Sequence, residues 1–252
     1  MTNGLRFAVV AGLALAVAAC GDKNAEPAVT TTASTGTAAT TPAAVAGATD
    51  WTKVTAATPE GGFRIGNPDA KVKLLEFASL TCPHCSEFHE QAMATIRDKY
   101  VASGNVSYEF RNFVLNGPDF AASLLARCQG AEPFFGLLGS FYTDQATWVE
   151  PFTKLTEADN KRLSAMPEDQ QIAALAQLGK LDEYVRARGI TRAKFDQCLS
   201  DKAGLDKLTA LRKQATETYK LTGTPGFIIN GKTQEGVFTW DALEPKLKAA
   251  LL

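Results

Sequence analysis

One tetrad, Cys82-Pro83-His84-Cys85, constrains this 252-residue chain more than any other feature, because it sits where a strand turns into a helix. Val72 to Phe77 form an apolar-rich run of strand length, and Ser86 to Tyr100 carry helix formers, with Phe88, Met93 and Ile96 available for one buried stripe. Pro83 suits the first helical position, where its missing N–H would have had no partner. Cys82 then lies at the helix N-terminus, where free backbone N–H groups and the positive end of the macrodipole favour a thiolate. Disulfide exchange proceeds through thiolates, so a depressed Cys82 pKa sets its reactivity. His84, protonated or donating a hydrogen bond, would stabilise that thiolate further. Cys85 follows one turn later and is expected to be the less exposed, resolving sulfur.

Other uses of these cysteines fit less well. A zinc site could recruit Cys82, Cys85 and His89, but the chain has no second Cys-x-x-Cys and only one other histidine, His84. A c-type haem needs histidine after the second cysteine, and that residue is Ser86. A structural disulfide at this spacing closes almost no loop and makes a poor staple. A redox-active dithiol needing neither metal nor organic cofactor is the reading that remains.

Residues 1–19 read as an export signal: Arg6 supplies a basic start, and Phe7 to Ala19 are apolar but too few to span a bilayer. Val17-Ala18-Ala19-Cys20-Gly21 resembles a bacterial lipobox, in which Cys20 is lipidated and several acyl chains anchor the chain to a membrane. Gly21, in place of the common aspartate retention signal, points to the outer membrane. Residues 20–58 are rich in Ala, Thr, Pro and Gly and read as a flexible tether, at ~40 residues spanning on the order of 35 Å. With Cys20 modified, Cys128 and Cys198 become a candidate structural disulfide in an oxidising compartment, two buried free thiols being the alternative.

The remainder, roughly 190 residues, suffices for one large domain or a domain with an insertion. The formal net charge of −1 and the lack of a basic run offer nothing to nucleic acid. After the first strand and helix comes a strand over Val106 to Phe113. A helical section follows, with segments from Pro118, Pro133, Pro167 and Leu181, a short helix capped by Thr191, and a longer one from Ala203 to Lys220. Phe227 to Ile229 form a strand, Asn230-Gly231 a hairpin turn, Val237-Phe238 the expected partner strand, and Trp240 to Leu252 a closing helix. His89, one turn past Cys85, reads as a surface residue.

The segment Phe77 to Phe88 around the tetrad, with Gly223-Thr224-Pro225-Gly226-Phe227, resembles the DsbA family of bacterial thiol-disulfide oxidoreductases. The resemblance implies an α/β chain: a thioredoxin fold in two parts, 59–117 and 222–252, with an all-helical insertion over 118–221. It makes Pro225 a cis-proline opposite the dithiol, with Thr224 presenting backbone to an extended substrate. It also matches Glu76 to an acidic residue beneath the dithiol, where it would exchange a proton with Cys85. Unpaired glutamate is rarely fully buried, so the other reading of Glu76 is a side chain reaching out from a strand edge.

The function so implied is a monomeric, periplasm-facing enzyme that passes the Cys82–Cys85 disulfide to cysteine-containing exported proteins and is reoxidised by a membrane partner of the DsbB type. Threonine at 224, where strongly oxidising members often carry valine, keeps a reductase or isomerase using the same dithiol as the alternative. A metal-delivery protein is the rival from another class.

Overall fold

A computed structural model describes residues 49–252; the expected signal segment, Cys20 and nearly all of the tether lie outside the described residues. The fold is built on a six-stranded sheet of order β1-β2-β4-β3-β5-β6. Its strands are β1 (Thr55–Ala57), β2 (Phe63–Ile65), β3 (Val72–Ala78), β4 (Val106–Asn112), β5 (Gly226–Ile229) and β6 (Lys232–Thr233). Strand β3 pairs parallel with β4 and antiparallel with β5, which makes it central. That position explains its composition: side chains alternate between the sheet faces, and both faces are covered. Leu74, Glu76 and Ala78 face α1 (Pro83–Thr95), whereas Leu75 and Phe77 join Ala215 of α9 (Lys202–Glu217) on the other side.

Helix α1 seats itself through Phe88, wholly buried, whose ring lies 4.6 Å from that of Phe227 on β5. A phenylalanine removed from water in this way contributes about 2–3 kcal/mol. Ile96 is also fully buried and Met93 partly so, as the stripe predicts. The closing helix α10 (Trp240–Leu251) begins at a Thr239 cap and packs beside α1 with Leu243 and Leu247 inward.

Between β4 and β5 the chain is helical: α2 (Gly117–Arg127), α3 (Ala131–Thr143), α4 (Gln145–Thr153), α5 (Glu157–Ser164), α6 (Glu168–Leu178), α7 (Leu181–Arg186), α8 (Arg192–Leu199) and α9. The Thr191 hydroxyl accepts from Lys194 N and caps α8 as read from sequence. Helices α4 and α5 carry no apolar periodicity that announces them; α5 instead starts with a reciprocal Thr156–Asp159 capping box. The insertion shares one apolar core with the sheet: Phe134 of α3 stacks on Phe63 of β2, with ring centroids 4.2 Å apart.

Two expectations are corrected. The folded part begins before residue 58, because Thr55–Ala57 pair with β2 and Trp51 lies in a 3-10 turn. Backbone pairing orders this Ala/Thr-rich strand without large side chains. The partner of β5 is Lys232–Thr233 and not Val237–Phe238. Asn230 and Gly231 both take positive φ (48° and 80°), the requirement of a two-residue turn, so the return strand starts at once. Val237 is buried in the loop beyond, and Phe238 is exposed.

Cys128 and Cys198 form a disulfide across a separation of 70 residues, joining the end of α2 to α8. Cross-linking a loop of this length chiefly restricts the unfolded chain. Replacing both cysteines with serine is expected to lower unfolding free energy by about 2–4 kcal/mol. Urea unfolding would show it as a lowered midpoint at unaltered dithiol chemistry; an unchanged midpoint would contradict the assignment of a structural role.

Candidate active site

Cys82 caps α1 in an extended conformation (φ −82°, ψ 119°), with Pro83 in the first turn. Its carbonyl accepts from Cys85 N at 3.1 Å and Ser86 N at 3.2 Å, closing the first helical turn around the dithiol. The turn leading into it is held by the helical insertion. Gln145 Nε2, at the start of α4, donates to Leu80 O at 2.8 Å and to Cys82 O at 2.9 Å. Tyr142 of α3 donates to Ser79 O at 3.2 Å. Asp119 of α2, wholly buried, accepts from Leu80 N at 3.0 Å and Leu115 N at 2.9 Å. Burial pushes the Asp119 carboxyl up to about 6 against the pull of these donors. Sequence reasoning missed all three; only the buried polar character of Asp119, one turn into a capped helix, could have hinted at it.

Across from the dithiol the Thr224–Pro225 peptide is cis, and Cys82 Sγ, as a thiol, donates to Thr224 O at 3.4 Å. Cys82 and Cys85 are both unbonded thiols here, Cys82 retaining 7% exposure and Cys85 none. Their electrostatics diverge. Cys82 is drawn down to about 5, first by a hydrogen bond from the Cys85 thiol, then by the Thr224 side-chain hydroxyl and the backbone N–H groups of Cys85 and His84, with burial opposing. Cys85 is pushed well above the ordinary thiol value by burial, by the bond it gives Cys82 and by the charges of Cys82 and Glu76. One sulfur is thus a stable thiolate near neutrality and the other a proton-holding thiol.

His84 acts differently from the expectation. Its imidazole is 79% exposed, with Nδ1 3.9 Å from Glu87, and its contribution to the thiolate comes through the backbone N–H.

Beneath the dithiol, Glu76 is fully buried on the α1 face of β3 and accepts from Tyr108 Oη at 2.6 Å. Burial and the Glu76 charge hold the Tyr108 hydroxyl in its protonated, donating form. The expectation that His89 lies on the surface is overturned: it is 7% exposed, on the inward side of α1, with Nε2 3.3 Å from Glu76 Oε2 and its ring 4.0 Å from that of Tyr142. A histidine one turn past Cys85 continues the stripe of Cys85, Phe88 and Ala92, and the half-polar imidazole disguised that periodicity.

A groove of about 500 Å³ opens beside the dithiol, walled by His84, Phe88, Gln91, Gly223, Thr224 and Phe238. Phe238, 48% exposed, gives it an apolar rim. Among the described residues no group of three His, Cys, Asp or Glu side chains is placed to hold a metal ion.

The family profile described as Thioredoxin matches residues 58–249. A Rickettsia bellii protein to which protein-disulfide oxidoreductase activity is attributed is 30% identical over 183 residues, covering 73% of this chain and 62% of its own. The chain thus spans about three fifths of the length of the curated relatives it matches. The crystal structure of a protein-disulfide isomerase from Novosphingobium aromaticivorans is 35% identical with a TM-score of 0.71, covering 75% of this chain and 96% of its own. The fold is shared with Wolbachia pipientis alpha-DsbA1, 22% identical with a TM-score of 0.61 over 80% of this chain and 96% of that one. The profile match over most of the chain, on a sheet interrupted by helices with the Cys82–Cys85 turn set against a cis Thr224–Pro225 peptide, shows that the chain belongs to the thioredoxin family, with a fold it shares with DsbA structures.

Proposed function

We propose that this protein oxidises cysteine pairs of exported proteins, passing on the disulfide formed between Cys82 and Cys85. The observation that carries the reading is the thiolate character of Cys82 beside a fully buried Cys85. A stabilised thiolate is a good leaving group and favours the reduced form, which makes the corresponding disulfide a ready oxidant. A substrate thiolate attacks Cys82 Sγ, the Cys82–Cys85 bond breaks, and Cys85 leaves and takes up a proton. The substrate's second thiolate then attacks its own sulfur in the mixed disulfide, and Cys82 departs as a thiolate. Thr224 and the groove rimmed by Phe238 receive the extended substrate segment, and Glu76 exchanges the proton with Cys85.

A second reading, isomerase or reductase, has a specific basis in Thr224 and in the 35% identity to a protein-disulfide isomerase of known structure. Equilibration with glutathione separates the two. A reduction potential near about −120 mV makes the protein a disulfide donor, and one near about −270 mV a reductant. We assign the site of action to the periplasmic side of a bacterial membrane, with Cys20 as lipid anchor and a DsbB-type protein as reoxidant. Metabolic labelling with palmitate tests the anchor: the label should be lost in Cys20→Ala, and retention of label there would refute it.

Variants at the dithiol have separable outcomes. Cys82→Ser should abolish turnover of a reduced, unfolded substrate, while Cys85→Ser should accumulate mixed disulfides visible on non-reducing gels. Wild-type rates in both would refute the mechanism.

The Cys82 pKa has a pH signature with a definite sign. Thiolate absorbance and alkylation of the reduced protein should titrate with a midpoint of about 5, lowered from 9.0. Because the folded value is depressed, the thiolate's contribution to the stability of the reduced protein is full above the unfolded value and is lost as pH falls through about 5. A midpoint near 9 would remove the electrostatic basis for an oxidant.

A further inference from the structure

On the side of α1 away from the peptide groove lies a second, larger cavity of about 760 Å³ between α1 and α3, open to solvent. Its wall includes Ser86, His89, Met93, Phe135 and Tyr142. His89 reaches from this cavity to the buried acid: its side chain retains 5% exposure, and Nε2 lies 3.3 Å from Glu76 Oε2. That approach is within ion-pair range but poorly aligned, so neither His89 Nε2 nor Glu76 Oε1 has a hydrogen-bond partner among the described residues. Orphaned polar atoms at full burial are uncommon and call for an explanation. The groups facing the imidazole are Glu76 from β3 and Tyr142 from α3, with Tyr108 of β4 bound to the same carboxylate. Both tyrosines are held protonated by burial, which leaves His89 as the group of this cluster with a ring nitrogen to spare for proton transfer.

We propose that His89 is a positioning residue that relays protons between water in the α1–α3 cavity and Glu76, and through Glu76 to Cys85. The inference rests on the exchange reaction proposed above. When the Cys82–Cys85 bond opens, the leaving Cys85 sulfur needs one proton, and Cys85 itself has no exposure to solvent. Glu76 supplies that proton, His89 restores it from the cavity, and closure of the disulfide runs the same transfers in reverse. No electron passes through His89, so no oxidant or reductant beyond the two thiol–disulfide couples is required.

A relay accelerates both directions equally and leaves the equilibrium alone, whereas a merely structural or electrostatic role shifts the equilibrium. The test uses His89→Ala in the otherwise intact protein. Acid-quenched, mass-resolved kinetics give the rate at which reduced glutathione opens the Cys82–Cys85 disulfide and the rate at which Cys85 closes on the mixed disulfide. Both rates are expected to fall about tenfold or more, with their ratio held within about twofold. Imidazole added to the buffer should enter the enlarged cavity and restore most of the loss. His89→Gln, which keeps a polar side chain without a ring nitrogen, should be slowed in the same way and covers the case in which the alanine variant does not fold. Unchanged rates, a shifted ratio, or a loss in a folded alanine variant that imidazole does not repair would each overturn the relay. Absence of exchange in the wild type would instead refute the oxidoreductase reading itself.

Discussion

Everything at this site follows from the unequal burial of two sulfurs one helical turn apart. Cys82 sits at the open end of α1, where N–H groups with no helical partner converge, and Cys85 sits on the inward face with no exposure. A thiol shut away from water cannot easily ionise, so it serves its neighbour as a hydrogen-bond donor and deepens the asymmetry. The sheet, the clamps and the surrounding cavities act by keeping those two environments apart.

The helical insertion is part of that arrangement. Residues from α2, α3 and α4 hold backbone groups of the Ser79–Cys82 turn: Asp119 on Leu80 N, Tyr142 on Ser79 O and Gln145 on both the Leu80 and Cys82 carbonyls. Hydrogen bonds involving a charged partner contribute about 1.5–3 kcal/mol each and neutral ones about half as much. Together they set where the capping cysteine stands relative to Thr224. The disulfide between α2 and α8 ties the helix that carries Asp119 to the rest of the insertion.

The parts legible in the sequence were those governed by local rules. The apolar run of β3, the proline at the start of α1, the Thr191 cap and the Asn230-Gly231 turn each encode their conformation in a few neighbouring residues. What escaped depended on distant partners. Strand β1 has no side-chain signal because its order comes from pairing with β2, and the early start of β6 follows from turn geometry that hydrophobicity does not express. The burial of His89 escapes the sequence for the same reason: it depends on Glu76 of β3 and Tyr142 of α3, partners that only the tertiary fold brings to it. The polar residues that hold the dithiol turn carry no motif, since any donor or acceptor at the right place in the insertion would serve.

The two cavities flanking α1 divide the traffic of the reaction. On one side the groove of Phe88, Thr224 and Phe238 is apolar-rimmed and shares Thr224 with Cys82, whose Sγ lies 3.4 Å from the Thr224 carbonyl oxygen and trades covalent partners. On the other, Ser86, His89 and Tyr142 line a space from which His89 reaches Glu76. Helix α1 separates them, presenting Phe88 to the first and His89 to the second from adjacent positions. Sulfur chemistry and proton movement thereby need not compete for one opening. A bound peptide could cover Cys82 completely and still leave Cys85 a route for the proton that its departure or return demands.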